Sequence, residues 1–175
     1  MFSDKKYSFP VIECVLAVVL FILHYTSLID ITIYMASPFI LLPLCISVAF
    51  FRGEVVGLIF SGVCGFACDA VAGQTSVYNT FAFVIIGFFA GVLAKNIFNK
   101  NLKGAFILSL CFSAGYFSFK WLIFYLIPDI EGKVYHLFWN VAPSILYTAV
   151  FIIPFFFLEK WILKEKKPKN KLYIK

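Results

Sequence analysis

Apolar positions in this chain neither alternate nor fall in a narrow stripe; they run on. Six stretches, 10–28, 31–51, 55–72, 76–94, 104–127 and 134–158, are apolar almost throughout. The breaks between them, 27–30, 52–54, 73–75, 95–103 and 128–133, carry the charges, Gly and Pro of interfacial turns. A membrane strand shows apolar residues on one face only, so its sequence alternates. Continuous runs argue against a barrel and predict helices apolar on all sides. Each run approaches the roughly 20 residues that carry a helix across hydrocarbon. The expected fold is an all-α integral membrane protein, a six-transmembrane-helix bundle forming one domain over residues 1–175.

Composition strengthens this reading. The chain is 62% hydrophobic, 20% aromatic and only 14% charged, whereas soluble domains are nearer half apolar and a quarter charged. A soluble fold of 175 residues has no interior large enough for that surface. Six crossings use nearly the whole length and leave no room for a water-soluble domain. The first stretch is long enough to span and lacks a small-residue cleavage signature, so it reads as a span and not a signal peptide.

Charge placement sets the expected orientation. With both termini in the cytoplasm, the inner segments hold Lys5, Lys6, Arg52, Lys95, Lys100, Lys103 and the seven lysines from Lys160 to Lys175. The outer loops then hold only Lys133, and Lys120 lies within the fifth stretch. Basic residues concentrate on the cytoplasmic side of membrane proteins. An odd number of crossings spoils the asymmetry. Residues 159–175 become a basic cytoplasmic tail, suited to fixing topology and to contact with anionic membrane lipids. A bacterial cell membrane, crossed several times, is the expected location.

The third stretch is the most distinctive. Gly57, Ser61 and Gly65 recur every four residues, and Gly62, Gly65, Asp69 and Ala72 follow at spacings of three and four. The fourth stretch repeats the device with Gly87 and Gly91. In lipid, helices associate through close backbone approach and dispersion, which small residues permit. The pattern predicts that the third stretch is a tightly packed central helix. It also offers Gly57, Ser61, Gly65, Gly87 and Gly91 as a docking face for a partner's helix.

Polar residues inside the spans are few. Asp69 and Lys120 each lie about 16 residues beyond the inner end of their stretch, roughly 24 Å along a helix, so their depths match. Intramembrane charges normally face protein or a polar cavity; either the two interact within the bundle, or Lys120 snorkels to the outer surface and never meets Asp69. Asn79, His136 and Asn140 fall near the same level and complete an expected intramembrane polar cluster; His24 ends the first stretch nearby. Glu13 sits near the inner end of the first stretch, within reach of Arg52 or Lys95 or of interfacial water. Pro38, Pro43, Pro143 and Pro154 should kink or break their helices.

Catalytic chemistry finds little support. There is no paired carboxylate, Ser-His-Asp set or phosphate-cradling Gly-Lys loop. The five cysteines lie in apolar stretches; Cys64 and Cys68 share a helical face and form no metal knuckle. No enzymatic activity, metal or cofactor is expected. The basic tail lacks any globular reader, which argues against nucleic acid.

One stretch of sequence resembles a known family. Ser37-Pro38 leads an apolar run to Phe51-Arg52-Gly53-Glu54 and Gly57. Gly65-x-x-x-Asp69-x-x-x-Gly73 follows, then Ser76, Asn79, Gly87 and Gly91, with Asn140 and Pro143 in the last stretch. This order is similar to that of the bacterial rod shape-determining MreD family over about sixty residues. The resemblance implies a non-enzymatic scaffold of the cell-elongation, peptidoglycan-synthesising complex. It implies binding to the single-span protein MreC and, through it, to MreB, RodA and a class B penicillin-binding protein. The family is also similar in fold to the substrate-binding subunits of energy-coupling factor vitamin transporters, which gives an alternative. Those subunits use an Ala-rich motif early in their first helix, where this chain has only Ala17. A membrane interaction protein with no link to the wall is the third class.

Overall fold

The computed structural model describes residues 11–26, 39–72, 77–98, 101–128 and 133–165. They form α1 (Val11–Tyr25), α2 (Leu41–Arg52), α3 (Glu54–Ala72), α4 (Tyr78–Asn96), α5 (Leu102–Trp121), α6 (Lys133–His136), α7 (Ala142–Val150) and α8 (Ile152–Glu165). No strand occurs among the described residues. Two π-helical turns, Leu122–Leu126 and Leu137–Val141, extend α5 and join α6 to α7. Pro38, Gly73, Ser76, Lys5, Lys6, Lys100 and the tail from Lys166 onward lie outside the described residues.

Four helical runs are long and apolar enough to cross a membrane: Glu54–Val71, Tyr78–Asn96, Leu102–Leu126 and Val134–Leu163. They correspond to the third to sixth apolar stretches. α1, of 15 residues, and α2, of 12, are apolar but shorter.

α2 is the centre of the bundle. Every residue from Leu41 to Phe50, and Arg52, is buried, and α2 touches α1, α3, α4, α5, α7 and α8. The small residues of the third stretch had pointed to α3 as the central helix, and the structure corrects this. α3 turns Val55, Ile59, Val63 and Phe66 outward, each more than half exposed. It is a two-faced helix, small inside and bulky outside. α2 has no polar face, and a helix apolar all round belongs where protein surrounds it.

Proline acts differently in the two regions. Pro43 is the third residue of α2, where a missing N–H costs no intrahelical bond. In the last stretch, Pro143 cannot donate to the carbonyl of Trp139, and the π-helical turn Leu137–Val141 falls there. Pro154 cannot donate to Val150, the residue at which α7 ends. The sixth stretch is segmented beside both prolines.

Candidate functional site

The tightest packing lies between α3 and α4. A Cβ on Gly57 would stand 2.5 Å from Ala49 Cβ of α2 and 2.7 Å from the Gly87 carbonyl oxygen. One on Gly65 would stand 2.7 Å from the Asn79 carbonyl oxygen, and one on Gly91 2.5 Å from Glu54 Cα. One on Gly87 would run into the Gly57 carbonyl oxygen and Ser61 Oγ. The two backbones therefore touch at three levels, and a side chain at any of these glycines would force the helices apart. At the α3 N-terminus, Lys95 Nζ lies 3.6 Å from Glu54 Oε1.

These contacts revise the expected docking face. Gly57, Ser61, Gly65, Gly87 and Gly91 meet other residues of the same chain. Those contacts are intramolecular: between antiparallel helices consecutive in sequence, the nearest small face is the neighbour's own.

Asp69 closes the far end. Its Oδ1 accepts the backbone N–H of Asn79 at 3.1 Å, and its Oδ2 accepts the backbone N–H of Thr80 at 2.7 Å and the Thr80 hydroxyl at 2.6 Å. The first N–H groups of a helix have no intrahelical acceptor. A carboxylate there satisfies two of them and meets the positive end of the helix dipole. Gly65 and Asp69, one turn apart, thus seat the N-terminus of α4, by close approach and by capping.

A chain of hydrogen bonds continues to α5. The Tyr116 hydroxyl donates to Asn79 Oδ1 at 2.6 Å, and the Tyr78 hydroxyl donates to the Tyr116 carbonyl at 2.7 Å. Tyr116 also stacks on Phe39, which leads into α2, with ring centres 5.5 Å apart. Thr80 and Tyr116 were not anticipated; hydroxyls facing Asp69 and Asn79 leave no pattern of their own in the sequence.

The expected polar cluster is therefore only partly assembled. Asp69 and Asn79 meet. Lys120 does not: among the described residues no hydrogen bond or ion pair joins it to Asp69, whose donors all come from α4. Lys120 is exposed on α5, within electrostatic range of His24 and Cys68. His136 stacks on Tyr125 at 3.9 Å between ring centres. Asn140 is half-buried in the π-helical turn Leu137–Val141.

A second polar group was anticipated only in part: Arg52 was a candidate partner of Glu13, and Glu159 was not. Arg52, at the end of α2, hydrogen-bonds Glu13 of α1 through Nη2, and its Nε lies 3.9 Å from Glu159 Oε2 of α8. Both carboxylates are fully buried and Arg52 is 8% exposed. Glu159 had been placed at the start of the solvated tail. The readable signal was a carboxylate inside an apolar run, which a bundle keeps only when paired.

A protein-family comparison bears on all of this. The sequence model of the rod shape-determining protein MreD matches residues 3–162 of the 175. This chain belongs to the MreD family. The match runs from before α1 into α8, so the likeness extends well beyond the sixty residues around Asp69. Searches among curated proteins and among solved structures returned no match. In this MreD chain, the Gly65–Asp69 pair fixes how α4 meets α3. Arg52 and Glu54, on either side of Gly53 with its φ of 95°, pair with α1 and α8 and with α4 respectively. The charged turn and the Gly-rich helix are thus the two ends of one rigid pair. As an MreD family member with apolar spanning helices, the chain is a rod-shape-determining membrane protein.

Proposed function

We propose that this chain is a non-enzymatic scaffold of the cell-elongation complex in the bacterial cell membrane. It crosses six times with both ends in the cytoplasm, so α1 and α2 belong to crossings. The basic residues that follow Glu159, Lys160 to Lys175, lie on the inner side of one transmembrane domain. It binds an MreC-like single-span partner and through it reaches MreB, RodA and a class B penicillin-binding protein.

The observation that carries this reading is the α3–α4 pair, closed along its length by glycine contacts and capped by Asp69. Such a unit is a stiff surface against which a partner's helix can pack. Gly57, Ser61, Gly65, Gly87 and Gly91 hold the two helices at a fixed spacing. The contact itself falls on Phe81, Ile85 and Phe88 of α4, which are exposed and share one helical face.

Purification in mild detergent, followed by mass spectrometry of proteins and small molecules, tests the proposal. Enrichment of a single-span MreC-like protein, and loss of rod shape on depletion, are the expected results. A photo-cross-linker at Phe81 or Ile85 should capture that protein. Cross-links that consistently fall elsewhere overturn the docking surface but leave the scaffold role standing. Co-purification of a water-soluble vitamin, with normal cell shape on depletion, replaces the scaffold with the transport alternative. Ala17 bears on that alternative: it is buried within the chain and presents no open small-residue motif to a transport partner.

A further inference from the structure

The first helix is pinned near both ends, with a groove along its middle. At one end Glu13 holds Arg52. At the other, the Tyr25 hydroxyl donates to the Cys68 carbonyl of α3 at 3.3 Å. Between these pins lies a slot of about 350 Å³, walled by Cys14, Ala17 and Phe21 of α1 and Val63, Cys64 and Ala67 of α3, with Leu41 of α2 behind. The pins and the slot are adjacent in sequence: Glu13 beside Cys14, Ala67 beside Cys68.

We propose that this slot binds a single hydrocarbon chain of a membrane lipid. Its lining has no side-chain donor or acceptor beyond two thiols, so it has nothing with which to recognise a headgroup or a polar solute. A protein helix seated there is the competing occupant, and it would shield a reporter in the slot from lipid.

The way in also selects the occupant. The polar pins stand beside the lining residues Cys14 and Ala67, and the apolar opening between them faces sideways. There the slot is continuous with the outward rows of Val18 on α1 and Val55, Ile59 and Val63 on α3, each more than half exposed. In a bilayer that side is hydrocarbon. A void in that position forfeits dispersion contacts along its walls, and a lipid chain entering from the side restores them. The proposal rests on the crossing of the membrane and not on the partner's identity.

Bromolipid quenching tests it. With Trp121, Trp139 and Trp161 changed to Phe, Phe21→Trp places the reporter in the slot and Val19→Trp places one on the lipid-facing side of α1. Each is reconstituted in phosphatidylcholine vesicles with increasing amounts of bromine-labelled chains. The slot reporter should reach half-quenching at a bromolipid fraction about threefold lower, the shift given by roughly 0.6 kcal/mol of preference. Val63→Phe, which plugs the mouth from a lipid-exposed position, should move the Phe21→Trp curve onto that of Val19→Trp. Ala67→Leu should do the same from within. Coincident curves without any plug, or a slot reporter that bromolipid never quenches, overturn the proposal. A protein that fails to insert in vesicles shows instead as both reporters unquenched, which defeats the membrane reading.

Discussion

Thr80 grips Asp69 twice, through its backbone N–H at 2.7 Å and its hydroxyl at 2.6 Å, both to Oδ2. The pair spans the turn between α3 and α4, so it acts as an N-cap donated by the preceding helix. Removing a capping side chain costs about 1 kcal/mol. Asp69→Ala should destabilise by about that amount, read from thermal unfolding in detergent. Thr80→Val leaves the backbone bond and should lose less, about 0.6 kcal/mol, the average for a side-chain hydrogen bond between membrane helices. Asp69→Asn keeps an acceptor oxygen and should fall between wild type and Asp69→Ala.

Because the carboxylate is occupied by α4, Asp69 and Lys120 should behave independently. In a double-mutant cycle of Asp69→Asn and Lys120→Met, the effects should add within about 0.5 kcal/mol, as for sites without shared partners. A coupling well above that value would place an ion pair between them and contradict the observed geometry.

The glycines give a built-in contrast. Gly57 and Gly91 face backbone atoms at 2.5–2.9 Å from a would-be Cβ, whereas Gly115 of α5 meets nothing within 4 Å. Gly57→Ala and Gly91→Ala must part α3 from its neighbours, with losses of about 1–3 kcal/mol expected from overpacking. Gly115→Ala removes backbone freedom without a clash and should be neutral or stabilising by about 0.5 kcal/mol. Melting temperatures of the three variants in one detergent separate the cases. Equal effects would mean that the glycines act through helix propensity alone.

How much of this could be read in advance depends on how local each signal was. The spacing of Gly57, Ser61 and Gly65 and its echo at Gly87 and Gly91 identified two helices with small faces. Asp69 was visible as a costly group on that face, but its partners were not. Depth matching offered Lys120, while two N–H groups at the start of α4, only ten and eleven residues away, were nearer and already oriented. The central place of α2 left no periodic trace, because a helix surrounded by protein has no face to distinguish. The contact between Arg52 and Glu159 joins positions 107 residues apart, and nothing in either local sequence points to the other.

That buried group yields the largest expected effect. Arg52 lies against Glu13 of α1 and near Glu159 of α8, and both carboxylates are fully buried. Removing one member of a buried ion pair strands the other, at about 3–5 kcal/mol. Arg52→Met should therefore cost more than Asp69→Ala, and it should release the Glu13 end of α1. Cys14, next to Glu13, reports the release: its reaction with a membrane-permeant maleimide should quicken in Arg52→Met, relative to exposed Cys111 as internal control. Arg52→Met with Glu13→Gln removes two charges and should recover part of the stability, because one of the two stranded carboxylates is gone. Arg52→Lys keeps the charge but lacks the planar fork that spans two partners, and should fall between wild type and Arg52→Met. If Arg52→Met unfolds at the wild-type temperature with unchanged Cys14 labelling, the group is a solvated surface pair and α1 is held by packing alone.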